Sequence, residues 1–99
     1  MEFTKPADSG FTIYSKSGCF NCSRVKKFLE VNNVNFLSID CDDYLLEDKK
    51  GFVLFLCQAA NEELKVFPIV FNNGTFIGGY LETKDYIERI NSFDSNLNF

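Results

Sequence analysis

The sequence predicts an α/β domain in which four strands form one mixed sheet and three helices cover it, in the order βαβαββα. Three observations carry this expectation. Two short β-prone runs, Phe11–Ser15 and Asn35–Asp40, flank a segment with apolar residues at helical spacing, which implies a right-handed parallel crossover. Asn72-Asn73-Gly74 lies between two apolar segments and is a hairpin signal. Gly78-Gly79 then breaks the chain before a last segment of helical periodicity.

Taken in order, residues 1–10 are polar, hold Pro6 and Gly10, and read as a loosely held lead-in. The first helix is expected from about Cys22 to Val31, with Val25, Phe28 and Leu29 inward and Arg24, Lys26 and Lys27 outward. Asn32 and Asn33 stop it. The second strand carries Phe36, Leu37 and Ile39. Cys41 to Lys65 is less plain, because propensity alone makes Phe52–Cys57 a strand. Its polar flanks (Glu47–Lys50 and Gln58–Glu63) and its length favour a helix, with Gly51 as an internal weak point. Val66–Phe71 is expected as the third strand, although Pro68 is awkward in a central one. Thr75–Ile77 returns from the hairpin, and a helix from about Glu82 to Ser92 repeats Tyr86, Ile87 and Ile90 on one face. Residues 93–99 complete one domain over 1–99 as a second loose end.

Composition narrows the function. With 99 residues, 45% of them apolar, the chain can bury a core without cross-links, and twelve phenylalanines with no tryptophan make that core Phe-rich. A net charge of −4 argues against general nucleic-acid binding, which needs a basic face. No apolar run approaches the ~20 residues of a membrane span. Met1–Gly10 lacks the basic-then-apolar build of a secretory signal, so the four cysteines point to a reducing compartment, the cytoplasm.

The chemistry sits in YSKSGCFNCSRVKK, where a strand hands over to a helix. Cys19 and Cys22 are three apart, so both sulfurs face one side of a first helical turn. A disulfide there closes so short a loop that it stabilises the fold by only ~2 kcal/mol. The pair suits opening and closing better than stapling. Cys19 stands where free N–H groups and the helix dipole favour negative charge, with Lys16, Arg24, Lys26 and Lys27 near in sequence. Thiols so placed ionise at ~3.5–7.5 instead of ~8.5. Cys19 is therefore the expected nucleophile, and Cys22, one turn in, the resolving thiol. A CxxC is also half of a zinc knuckle, but Cys41 and Cys57 form no second CxxC. Those two read as core positions, with a regulatory thiol as the lesser reading. Arg24, Lys26 and Lys27 are most simply a solvated helix face, although they could steer an anionic substrate.

The element order, with YSKSGCFNC at the first helix, VFPIVF at the third strand and FIGGYLET after the hairpin, resembles the glutaredoxins over about Phe11 to Ser92. The resemblance implies a thioredoxin-like fold and a glutathione-dependent thiol–disulfide oxidoreductase in electron transport. It implies a cis bond before Pro68, leaving the N–H and C=O of Phe67 free for strand-like bonds to an extended peptide such as glutathione. It places the glutathione site at Lys16, Asn21, Phe67, Pro68, Gly79, Tyr80, Leu81 and Glu82. Lys16 would hold one carboxylate, the N–H groups around Tyr80 and Leu81 the other, and Glu82 the γ-glutamyl ammonium. Gly78 and Gly79 would clear side-chain bulk from the ligand's path. Two departures bear on ligand preference. Phe20 and Asn21 stand where the commonest dithiol motif has proline and tyrosine, and Phe67 stands in place of valine.

The implied substrates are protein disulfides and glutathionylated cysteines, ribonucleotide reductase among them, handled by a monomer. Two rival readings accompany this one. The first is a redoxin reduced by thioredoxin reductase, which Lys16 and the Gly-Gly turn weigh against. The second is a [2Fe–2S] cluster bridging a dimer through Cys19 and glutathione, which the absence of the motif proline keeps open.

Overall fold

β1 (Phe11–Ser15) is buried along its whole length and lies in the interior of the sheet. In the computed structural model, which describes residues 2–97 and the side chains of residues 2–91, it is followed by α1 (Phe20–Val31), β2 (Phe36–Asp40), α2 (Asp42–Ala60), β3 (Ile69–Asn72), β4 (Thr75–Gly78) and α3 (Tyr80–Leu97). The expected order βαβαββα and the mixed four-stranded sheet are both present. The strands lie in the order β2-β1-β3-β4. β1 runs parallel to β2, with Phe11 opposite Phe36, and antiparallel to β3, with Phe11 opposite Asn72.

Period-two alternation divides the core into two layers. Tyr14 on β1 and Ile69 and Phe71 on β3 face α2, packing with Phe52 and Leu56. Phe11, Ile13 and Val70 face the other way, onto Val25 and Leu29 of α1 and Ile87 of α3. The sheet thus carries α2 on one face and α1 with α3 on the other, and the chain after β1 emerges between the layers.

Several boundaries differ from expectation for identifiable reasons. Within the lead-in, Phe3 and Thr4 make contacts with the folded core. Phe3 packs its ring 5.2 Å from those of Tyr44 and Phe52, and the Tyr14 hydroxyl donates to the Thr4 carbonyl at 2.7 Å. α1 starts at Phe20 because Cys19 serves as its N-cap. β3 starts only after Pro68, which has no N–H to give a ladder. α3 begins at Tyr80 and continues to Leu97, past the expected end at Ser92. In sequence, Ile90, Phe93 and Leu97 keep the helical period going. Of the expected loose end, residues 98–99 lie outside the described residues.

The helical reading of residues 42–60 is right, but its weak point is Asp48. Asp48 has extended φ/ψ (−152°, 69°), and its Oδ1 accepts the Gly51 N–H at 3.1 Å. It therefore acts as an N-cap in mid-helix. Gly51 is needed there because a Cβ would stand 2.8 Å from the Asp48 Cγ. Asn61, in the left-handed region at φ 55°, ends the helix. No helix among the described residues is long and apolar enough to cross a membrane.

Candidate active site

The site is built where β1 ends. Beyond Ser15 the chain turns through Lys16, Ser17 and Gly18, and Gly18 takes φ 72°, a conformation that suits glycine. Ser17 pins this turn to the start of α2. Its N–H donates to Asp42 Oδ1 at 2.9 Å, and its hydroxyl pairs with Asp42 Oδ2. These two bonds, aided by the Lys16 charge, hold the Asp42 carboxyl below the ordinary carboxylate range. The turn that delivers Cys19 is thus tied to the start of α2.

Cys19 caps α1, its Sγ accepting the Cys22 N–H at 3.1 Å, and the two sulfurs are joined as a disulfide with the Cα atoms 5.2 Å apart. Cys19 is half-buried, whereas Cys22 is 2% exposed. An incoming thiol or disulfide can reach one sulfur of the pair. On reduction, the N–H that Cys19 already accepts and the helix terminus behind it favour a thiolate at this sulfur.

The remaining site residues arrive on two further segments. The Phe67–Pro68 bond is cis, and Lys16 Nζ lies 5.6 Å from the centre of the Phe67 ring. Among the described residues, no turn, loop or cap hydrogen bond uses the N–H or C=O of Phe67. Where β4 passes into α3, the Gly79 N–H donates to Glu82 Oε1 at 2.8 Å, and the Thr83 N–H reaches the Gly79 carbonyl at 3.1 Å. The position a Gly79 Cβ would take is 3.5 Å from the Pro68 carbonyl oxygen, so the proline loop and the glycine turn touch. A cavity of about 460 Å³ opens there, lined by Val66, Pro68, Gly78, Gly79 and Glu82 among others.

The structure joins most of the expected site residues through a chain of contacts. Lys16 meets Phe67, Pro68 meets Gly79, and Tyr80 meets Arg24, whose Nη1 stands 3.4 Å from Asn21 Oδ1. Leu81 is 68% exposed, so only its backbone remains for the role expected of it.

Two expectations change. The space a Gly78 Cβ would occupy is filled by Glu82, whose Cβ would be 2.6 Å away, so this glycine admits a side chain of the protein itself. Glu82 spends one carboxylate oxygen on capping α3, leaving the other for a ligand. Two features escape a reading of the sequence. The Ser17–Asp42 clamp spans 25 residues and has no local signal. Arg24 reads as solvated, yet its guanidinium carbon lies 5.3 Å from the Phe20 ring centre and 4.3 Å from that of Tyr80. Among the described residues there is no cluster of three or more His, Cys, Asp or Glu that could hold a metal ion.

Comparison with known proteins gives consistent results. The family model described as Glutaredoxin matches residues 11–77. Mitochondrial glutaredoxin-2 of Homo sapiens is 36% identical over 77 residues, which are 78% of this chain and 44% of that protein. The chain spans less than half the length of the curated relatives it matches. Among solved structures, glutaredoxin 1 from Francisella tularensis, complexed with cacodylate, superposes with a TM-score of 0.71 at 27% identity, covering 83% of this chain and 95% of that one. A buckwheat glutaredoxin–glutathione complex gives a TM-score of 0.66 at 26% identity, covering 81% and 69%.

Proposed function

The chain belongs to the glutaredoxin family, and from that premise we propose that it is a glutathione-dependent thiol–disulfide oxidoreductase. One observation carries the reading: a CxxC pair at a helix start with one sulfur reachable and its partner buried. The reduced Cys19 thiolate attacks a disulfide of a protein substrate, forming a mixed disulfide and releasing one substrate thiolate. Cys22 then attacks Cys19 Sγ, which frees the second substrate thiol and forms the Cys19–Cys22 disulfide. A glutathione thiolate opens that disulfide at Cys19, and a second glutathione takes the adduct away as glutathione disulfide. Two electrons pass from two glutathiones to one substrate disulfide. A glutathionylated protein cysteine enters at the adduct and needs Cys19 alone.

The proposed glutathione site follows the contacts described above. Lys16 faces one carboxylate, and the first-turn N–H groups of Tyr80 and Leu81 face the other. The free main-chain groups of Phe67 pair with the peptide backbone, beside Pro68 and Gly79. Asn21 and the second oxygen of Glu82 complete the polar contacts. The glutathione held by the buckwheat relative supports such a site on this fold. The cycle runs toward reduction in the cytoplasm, the setting proposed, with one chain as the working unit and ribonucleotide reductase among the candidate substrates.

A [2Fe–2S] cluster needs four protein or thiol ligands. This chain presents one reachable sulfur at the site, Cys19, so such a cluster would need Cys19 from each of two copies and two glutathione thiolates to complete its ligands.

The deciding experiment compares turnover of a mixed disulfide with glutathione plus glutathione reductase against thioredoxin reductase. Turnover is expected with glutathione. Lys16→Gln should raise the KM for glutathione by about tenfold or less, and leave any thioredoxin reductase activity nearly unchanged. Negligible turnover with glutathione beside good turnover with thioredoxin reductase would overturn the reading.

A further inference from the structure

We propose that the groove between α2 and the segment leading into β3 binds the polypeptide flanking the scissile disulfide of the protein substrate, and selects an extended segment bearing apolar and acidic side chains. This rests on the oxidoreductase reading, whose substrate class it narrows.

The groove encloses about 720 Å³ and begins at the active site, since Lys16 and Phe67 line it. Its floor is core: Leu56 is 1% exposed and Ile69 4%. Its lips are not, because Leu46 on α2 is 85% exposed and Val66 opposite is 76% exposed. Isolated exposed aliphatics need no explanation, but two on one groove mark a surface that gains from being covered. Glutathione has no apolar side chain with which to cover them. A protein substrate does, and its disulfide must reach Cys19 while the residues beside it lie over a neighbouring surface.

Charge defines the occupant further. Lys16, Lys49 and Lys65 all line the groove, against a single carboxylate, Asp42, which is already committed to Ser17. Lys65 has only a long, exposed pairing with Glu63 at 3.9 Å. This cationic rim belongs to a chain of net charge −4, so it is a local departure from the average field. Carboxylates flanking a cysteine would meet the lysines, while leucine-like side chains fill the space between Leu46 and Val66. Such complementarity acts on partner choice and encounter rate more than on raw affinity.

The test uses two disulfide peptides of equal length that differ only in their flanks, Leu/Glu or Leu/Lys, with cysteinyl-glutathione disulfide as the small control. In the glutathione-coupled assay, kcat/KM for the acidic peptide should exceed that for the basic one by about fivefold or more. Lys49→Glu should abolish or reverse the preference, Leu46→Glu should weaken both peptides, and neither should change turnover of the small control. Cysteine-free versions of the peptides, followed by fluorescence anisotropy with the oxidised protein, should show the same order of affinity. That readout needs no turnover, so it judges the groove even if the oxidoreductase reading fails. Equal rates and affinities for the two peptides, or a preference untouched by Lys49→Glu, would overturn the proposal. Dimerisation in sedimentation that Leu46→Glu abolishes would give the groove to a second copy and overturn it as well.

Discussion

The Arg24 guanidinium carbon lies 4.3 Å from the centre of the Tyr80 ring, so a side chain of the cysteine-bearing helix is stacked on the first residue of α3. Phe20 flanks the same guanidinium at 5.3 Å, placing the charge between two rings. An exposed cation–π contact contributes about 0.5–1 kcal/mol. Arg24→Ala should therefore lower Tm by roughly 2–8 °C in a domain of this size. Because Tyr80 opens the turn proposed to bind glutathione, its KM should rise more than kcat falls. Lysine at this position should restore only part, since an ammonium lacks the planar stacking face. An unchanged Tm together with an unchanged KM would show the stack to be idle.

The unequal exposure of the two sulfurs sets the outcome of replacing each. Cys19→Ser should abolish all disulfide exchange, because the remaining thiol of the pair, Cys22, is buried. Cys22→Ser should keep turnover of small glutathione mixed disulfides while losing the reduction of protein disulfides, which needs resolution. Steady-state assays on the two substrate types separate these effects. Activity in Cys19→Ser with none in Cys22→Ser would reverse the assignment.

Gly78 sits at φ 139° with the Glu82 side chain against its Cα. Gly78→Ala should destabilise the fold by about 2–3 kcal/mol, from backbone strain plus the clash. Adding Glu82→Ala removes the Cγ and Oε1 contacts but leaves the Cβ contact and the strain, so the double variant should recover only part of the loss. Urea denaturation of the four proteins in this cycle gives the coupling directly.

Burial pushes the Cys41 thiol up to about 12, and burial likewise raises the Tyr14 hydroxyl above its ordinary range. Both groups are fully buried, and both keep their protons in the folded chain at pH values where the unfolded chain releases them. Their contribution is therefore intact below the unfolded pKa and is lost as pH rises toward the folded one. Stability should hold to about pH 9 and then fall by about 1.4 kcal/mol per pH unit for each group that titrates. Cys41→Ala, less stable at neutral pH, should show a shallower decline between about pH 9 and about pH 10. Equal slopes for the two proteins in urea denaturation would remove Cys41 from the account.

What the sequence discloses about this fold is what lies close along the chain. The CxxC at a strand–helix junction, Asn72-Asn73-Gly74 and Gly78-Gly79 are local signals, and the element order follows from them. The α2 break was also open to reading, since Asp48 stands three residues before Gly51 at N-cap spacing. Contacts between distant residues left no such trace. Phe3 looks like a stray aromatic in a polar lead-in until α2 brings Tyr44 and Phe52 to it. Ser17 and Asp42 are ordinary turn and helix-start residues until folding joins them. Glu82, read as a ligand contact, proved also to be a cap, because helix termini use nearby carboxylates first.

The position of β1 in the sheet has a consequence during synthesis. It is the first strand of this sheet to leave the ribosome, yet its antiparallel partner β3 starts at Ile69. A nascent chain that has released α2 but not Ile69 can form the β1–β2 crossover while the other edge of β1 stays bare. That edge, carrying Phe11, Ile13 and Tyr14, is the kind of unpaired template to which other strands add. Translation that pauses between Ala60 and Ile69 would prolong this state. Chaperone demand should thus depend on codon speed across this short stretch, with no change in the finished protein.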